Sequence, residues 1–234
     1  MDGEEVGRFL DLLYETALDQ SRWVPAMERL ADLLGGSSCW LARLHVANGT
    51  GSGIISRIDP VMPAVYLADY ASRNPFSNAR DPEDHMRRWT PRIRFHDDFM
   101  PRDQVVRTAF YNDFLKPQNI VSTMMFGLSS GGFETCVLNV NHASASFDAQ
   151  QVALADRLHP HLRRAFALSC ALGDGDSRLG GPDALAALDG VGHGIVVVDA
   201  AGRVLHANAP ASALTGAGEG LRVEDGVLSA SDRA

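Results

Sequence analysis

Two hairpins whose strands fail to alternate between apolar and polar residues limit this sequence more than any other feature. Ser38-Cys-Trp-Leu-Ala-Arg-Leu-His-Val46 reads as a strand, Asn48-Gly49 as a hairpin turn and Ser52 to Ile58 as the return strand. Ile120 to Leu128 and Phe133 to Asn141 form the second pair, joined across Ser129-Ser-Gly-Gly132. A sheet with one face in water alternates in and out along each strand, and these strands do not. The expectation is an antiparallel sheet with helices on both faces.

The helices to cover it are legible. Val6, Phe9, Leu10, Leu13, Tyr14 and Ala17 recur at helical spacing. A second helix follows, with Pro25 in its first turn, Met27, Leu30, Ala31 and Leu34 on its buried face, and Gly35-Gly36 ending it. Asp59-Pro60 opens a helix carrying Val65, Tyr66, Ala68 and Tyr70. Arg102 to Leu115 is helical up to Pro117, and between Asn74 and Pro101 the chain makes a long excursion without sustained period, expected to pass over a binding face. Asp148 with Gln151 signals the cap of a longer helix bearing Val152, Ala155, Leu158, Leu162, Ala165, Phe166 and Leu172, with a kink expected at Pro160.

Gly173-Asp-Gly-Asp-Ser-Arg-Leu-Gly-Gly181 is polar and glycine-rich, so a boundary is placed there: one domain over 1–172, a linker over 173–181 and a further segment over 182–234. In that segment Ile195-Val-Val-Val198 and Val204-Leu205-His206-Ala207 are strands about an Ala201-Gly202 turn, followed by a short helix from Pro210 to Leu214.

Composition excludes several classes. The 234 residues carry a formal net charge of -8, which opposes nucleic-acid phosphates, and the short basic stretch Arg87-Arg88 through Arg92 and Arg94 is flanked by acids. No apolar run approaches the roughly 20 residues needed to span a bilayer, the N-terminus is acidic, and Cys39, Cys136 and Cys170 lie far apart. These features give a cytoplasmic protein with free thiols, no membrane partner and no nucleic-acid partner for the chain as it stands. His159-Pro-His161 is no metal pair, because positions two apart on a helix face different ways, and a surface or capping role is expected instead. Asp174, Asp176 and Ser177 lack a closing glutamate and have Arg178 at a ligand position, so they read as linker rather than a calcium loop. Ser129-Ser-Gly-Gly132 lacks the lysine of a phosphate loop.

Four stretches together resemble the sensory region of LuxR-type helix-turn-helix transcription regulators of proteobacteria. They are Leu12-Leu-Tyr-Glu-Thr-Ala-Leu-Asp-Gln-Ser-Arg-Trp23, Phe110-Tyr-Asn-Asp-Phe-Leu-Lys-Pro117, Leu158-His-Pro-His-Leu-Arg-Arg-Ala165 and the PAS-like run from Gly194 to Asn208. The resemblance implies an α/β (α+β) fold: a GAF/PAS-like antiparallel sheet with helices on both faces, followed by a partial PAS-like segment. It also implies a DNA-binding domain that is expected to be lacking here, so DNA is the partner of a full-length regulator only. His193, His206 and Asn208 carry no flavin or haem signature, and no cofactor is expected.

Tyr66, Tyr70, Asn74-Pro75 and Trp89 resemble the aromatic and Asp-Pro elements of acyl-homoserine-lactone pockets, with neutral Asn in place of the stronger Asp acceptor. The wider set Trp40, Tyr66, Tyr70, Trp89, Phe95, Phe110 and Tyr111 is expected to line a pocket for a small apolar or aromatic ligand. Leu158, Leu162, Phe166 and Leu172 are expected to pair two copies into a homodimer. No nucleophile with its base, carboxylate pair or metal set stands at recognisable spacing, which argues against an enzyme. The reading is a ligand-sensing, dimerising regulatory module, and the alternative is a ligand-free dimerisation or protein-interaction module.

Overall fold

Five strands form one antiparallel sheet in the order β2-β1-β5-β4-β3. They are β1 (Ser38–His45), β2 (Thr50–Ser56), β3 (Ile93–Phe95), β4 (Ser122–Gly131) and β5 (Glu134–His142). The structure, a computed structural model, describes residues 3–45, 50–76, 92–131, 134–144, 146–172, 194–198, 201–216 and 220–230. The expected Asn48-Gly49 turn, Trp89, His193 and the 173–181 linker lie outside the described residues.

Register assigns every side chain of the sheet to a face, since residues directly opposite across a ladder point the same way. Leu41 pairs with Leu138, Leu138 with Phe126, and Cys39 with Val140, so these share one face. Trp40 pairs with Asn139 and Asn139 with Met125, while Ser38 pairs with Asn141 and Asn141 with Thr123, so these share the other. Both faces are buried along most of β4 and β5, which is why their sequences do not alternate as a half-exposed sheet would. The mixed helix and antiparallel-sheet architecture stands as expected.

Helices α1 (Gly3–Glu15), α2 (Trp23–Leu34) and α5 (Ala149–Leu172) supply the apolar side chains opposite the first face. Phe9 and Leu13 of α1 and Met27, Leu30, Ala31 and Leu34 of α2 are buried, as their spacing requires. Gly35 ends α2 at φ 67°, the left-handed conformation that favours glycine. The start of α5 is a reciprocal box: Gln151 N–H donates to Asp148 Oδ1 at 2.8 Å and Asp148 N–H to Gln151 Oε1 at 2.7 Å. The helix runs unbroken through Pro160. The histidines flanking that proline reach in two directions, as expected of residues two apart, and each is half-buried beside a hydrogen-bond partner. His159 Nε2 meets the Gly127 carbonyl of β4 at 2.8 Å, and His161 Nδ1 meets the Tyr14 hydroxyl of α1 at 2.9 Å.

The dimerisation stripe is corrected by its burial. Leu158, Leu162 and Phe166 are buried within the chain, with Phe166 edge-on to Trp23 at 6.4 Å, and only Leu172 is exposed. The apolar area expected to be free for a partner is spent on the chain's own core.

The chain divides into two compact units, Met1–Phe166 and Ala167–Ala234. In the second unit β6 (Val196–Val198) pairs with β7 (Val204–Ala207), α6 (Ala209–Gly216) follows, and β8 (Leu221–Glu224) pairs with β9 (Val227–Ala230), a hairpin the sequence did not signal. Ala167, Ile195 and Val197 form its apolar cluster. Asn208 is fully buried and caps α6, its Oδ1 accepting from Ala211 N–H at 3.0 Å and from Ile195 N–H at 2.8 Å. That is a structural duty, not a cofactor contact.

Phe166→Ala is expected to destabilise the protein by about 3–5 kcal/mol, the cost of emptying a buried aromatic site, without changing its association state. Urea denaturation and light scattering of the same variant check both halves.

Candidate ligand pocket

The second face of the sheet is covered by two short helical segments. The first is α3 (Met62–Val65), continued by a π turn over Tyr66–Tyr70, and the second is α4 (Arg102–Val105), followed by a π turn over Phe110–Leu115. Each π turn is closed by a bond five residues long, from Ala71 N–H to Tyr66 O and from Lys116 N–H to Tyr111 O. Such wide turns are rare overall and frequent at functional sites. Here they carry the aromatic side chains that roof a cavity of about 80 Å³.

The roof is a connected aromatic set. Tyr66 stands edge-on to Trp40 at 5.1 Å, Phe110 stacks on Phe114 at 5.5 Å, and Phe76 is edge-on to Phe110 at 5.9 Å. These are the separations at which aromatic pairs attract. Gly53 of β2 leaves room for the Trp40 indole: a Cβ there would lie 2.9 Å from Trp40 Nε1 and 2.2 Å from the Leu41 carbonyl.

The floor is polar in a way the aromatic reading of the sequence missed. Thr123 Oγ1 donates to Asn141 Oδ1 at 3.0 Å, Asn141 Nδ2 donates to Ser38 Oγ at 3.0 Å, and Asn139 Nδ2 donates to the Trp40 carbonyl at 3.3 Å. The signal was present: in Val137-Leu-Asn-Val-Asn141 the two asparagines fall on one face and Leu138 and Val140 on the other. At the rim Gln118 Nε2 donates to the Phe114 carbonyl at 2.8 Å.

His96 was also missed. It opens a 3-10 turn directly after β3, inside the excursion, and stacks on Phe76 at 4.3 Å with the rings 11° from parallel. It is 5% exposed, and its Nδ1 is buried with no hydrogen-bond partner. Burial, and secondarily the positive Arg102, hold its pKa down at about 3, so the imidazole is neutral at physiological pH.

Of the expected ligand residues, Trp40, Tyr66 and Phe110 line this cavity. Tyr70 and Tyr111 do not. Tyr70 packs behind Phe114 at 5.0 Å under Arg73, and Tyr111 lies under the Arg102 guanidinium at 5.3 Å. Phe95 pairs with Met124 in register, which places it on the other face of the sheet against Phe147 at 6.1 Å. It lines a separate cavity of about 270 Å³ with Asp97, Asp98 and Arg102, and His96 and Thr123 border both spaces. Asn74 is engaged on both sides, its Oδ1 accepting from Phe76 N–H at 2.9 Å and its Nδ2 donating to the Tyr66 hydroxyl at 3.0 Å. It closes a turn, and its Oδ1 keeps a second lone pair beside the bond from Phe76 N–H. Among the described residues no group of three or more His, Cys, Asp or Glu is placed to hold a metal ion, and no helix is long and apolar enough to cross a membrane.

Comparison with known proteins adds the fold. The crystal structure of the VqsR LBD domain from Pseudomonas aeruginosa superposes with a TM-score of 0.54 at 18% identity, covering 73% of this chain and 97% of that one. The phycoerythrobilin-bound GAF domain from a cyanobacterial phytochrome gives 0.48 at 13% identity, covering 72% and 96%. No family model and no curated protein matches the chain. At 18% identity the likeness to the VqsR domain shows a shared fold.

His96 makes stability depend on acid in a defined direction. Its folded-state pKa, about 3, lies below the ordinary 6.5, so the unfolded chain takes up the proton first as pH falls. Stability is full above about pH 6.5 and is lost progressively toward about pH 3. Between about pH 7.5 and 5 the wild type should lose about 2 kcal/mol more than His96→Gln. Urea midpoints at the two pH values measure the difference.

Proposed function

We propose that this chain is the small-molecule-sensing region of a LuxR-type transcription regulator, with the ligand held in the cavity between the sheet and the two π turns. One observation carries the reading: an aromatic-roofed cavity with a neutral polar floor, on a sheet whose other face is filled by core. Pockets that bind small molecules combine apolar walls with a few placed polar groups in this way. The four sequence stretches that resemble the regulators, and the fold shared with the VqsR LBD domain, support the same reading.

The proposal extends to a cytoplasmic setting, in which reduced cysteines persist; burial pushes the thiol of Cys39 up to about 12, and it donates to the Met27 carbonyl. Response to a ligand would pass to a DNA-binding domain of the full-length regulator, so the region itself is proposed to do no catalysis and to bind no nucleic acid. A homodimer belongs to the proposal as the means of driving paired DNA-binding heads. Of the four residues first named for it, Leu172 is the one at the surface. Light scattering should then give twice the monomer mass, reduced in Leu172→Asp.

The second reading, a ligand-free interaction module, is favoured by the size of the cavity. About 80 Å³ is roughly half the volume of an engineered cavity that admits benzene, near 150 Å³. One experiment separates the two. Ala42 is buried on the cavity wall, and Ala42→Leu fills the space with an isobutyl group. Mass spectrometry of the denatured, purified wild type should release a small molecule that Ala42→Leu does not carry, while the variant melts no lower. Wild type that carries nothing and binds nothing supports the ligand-free module.

A further inference from the structure

We infer that His96 is the polar anchor of the pocket and that the ligand it selects is an uncharged single ring bearing one hydrogen-bonding group. The inference rests on the sensing role proposed for the cavity and names the chemistry of what enters it.

Charge is settled by the walls. None of the described residues lining the cavity is Asp, Glu, Lys or Arg, and its histidine is neutral. A charged ligand group would lose its hydration there and meet no countercharge among the described lining residues, a cost that strongly disfavours binding. The neighbouring cavity differs, since Asp97, Asp98 and Arg102 border it. A charged molecule therefore belongs on that side of His96.

Among the buried, described side chains of the lining, His96 is the one whose polar atom makes no hydrogen bond. Thr123, Asn141, Asn139, Gln118, Asn74 and Tyr66 each make a hydrogen bond within the protein. Nδ1 of His96 makes none, although the side chain is buried. Stacking on Phe76 fixes the plane of the ring, and the lone pair or proton of Nδ1 lies in that plane. An orphaned buried polar atom calls for an explanation, and a group that fills the position supplies one. A hydroxyl serves either tautomer, accepting from an Nδ1 proton or donating to an Nδ1 lone pair.

Size is settled by volume. The cavity of about 80 Å³ admits one small ring only by widening to roughly twice its volume, and it has no room for a long acyl chain.

Phenol, toluene and benzoate are matched in size and differ in the property at issue. Calorimetric titration of the full chain at neutral pH should show phenol binding at least about tenfold more tightly than toluene, and benzoate not binding. Phenol binding should vanish in Ala42→Leu, and the phenol preference should vanish in His96→Phe while toluene binding remains. Should His96→Phe fail to fold, nitrogen NMR of the wild type provides the same test: phenol moves the His96 Nδ1 resonance and toluene does not. Equal affinity for phenol and toluene, both lost in Ala42→Leu, overturns the role of His96 and leaves the pocket reading standing. Benzoate bound more tightly than phenol, and lost in Arg102→Met, overturns the inference by moving the site to the neighbouring cavity. Failure of phenol and toluene alike to bind the wild type overturns the pocket reading and the inference with it.

Discussion

Burial of both faces of strand β5 is the constraint on which the rest of this structure depends. Leu138 and Val140 point to the α1, α2 and α5 side, and Asn139 and Asn141 to the pocket side. A slip of one residue would exchange the two sets, burying amides in an aliphatic core and emptying the floor of its hydrogen bonds. Each amide would then lose its partner in a place where an unpaired polar group costs about 1–3 kcal/mol. Register is therefore specified from both sides at once. The neighbours inherit it, because β1 and β4 are paired to β5 residue by residue.

From that register the character of the pocket follows. Asn141 is bonded to Thr123 on one neighbouring strand and to Ser38 on the other, so the floor is a short amide ladder crossing three strands. Such a floor is rigid and neutral. It presents polar atoms without presenting charge. The roof has a different origin. Its aromatics sit on short helical segments that depart from α geometry where Tyr66, Phe110 and Phe114 project.

Much of this was legible in the sequence where a local rule acts alone. The stripes of α1 and α2, the glycine stop at Gly35 and the Asp148–Gln151 box are local, and each appears where the pattern put it. What escaped depends on partners distant in sequence. β3 is three residues long and exists only as an addition to β4, which gives no period to detect. Phe95 was grouped with the pocket aromatics by type, whereas its register with Met124 sends it to the opposite face. Phe166 read as surplus on a long stripe because Trp23, which it packs against, lies more than a hundred residues earlier. His96 had no spacing to betray it, since a lone histidine acquires meaning only from what surrounds it.

The two faces also divide the energetic work. The helix-covered face holds the largest fully buried side chains, among them Trp23, Phe9, Phe126, Phe166 and Leu138. The pocket face forgoes packing, and at about 24 cal/mol per Å³ a void of about 80 Å³ leaves about 2 kcal/mol ungained. An orphaned His96 nitrogen adds a cost of similar size. Against a typical margin of about 5–15 kcal/mol, a fold with only one such face would come close to unfolding. With a densely filled core behind the sheet, the exposed cost of an open, selective cavity is tolerated, and a ligand that fills it returns both contributions at once.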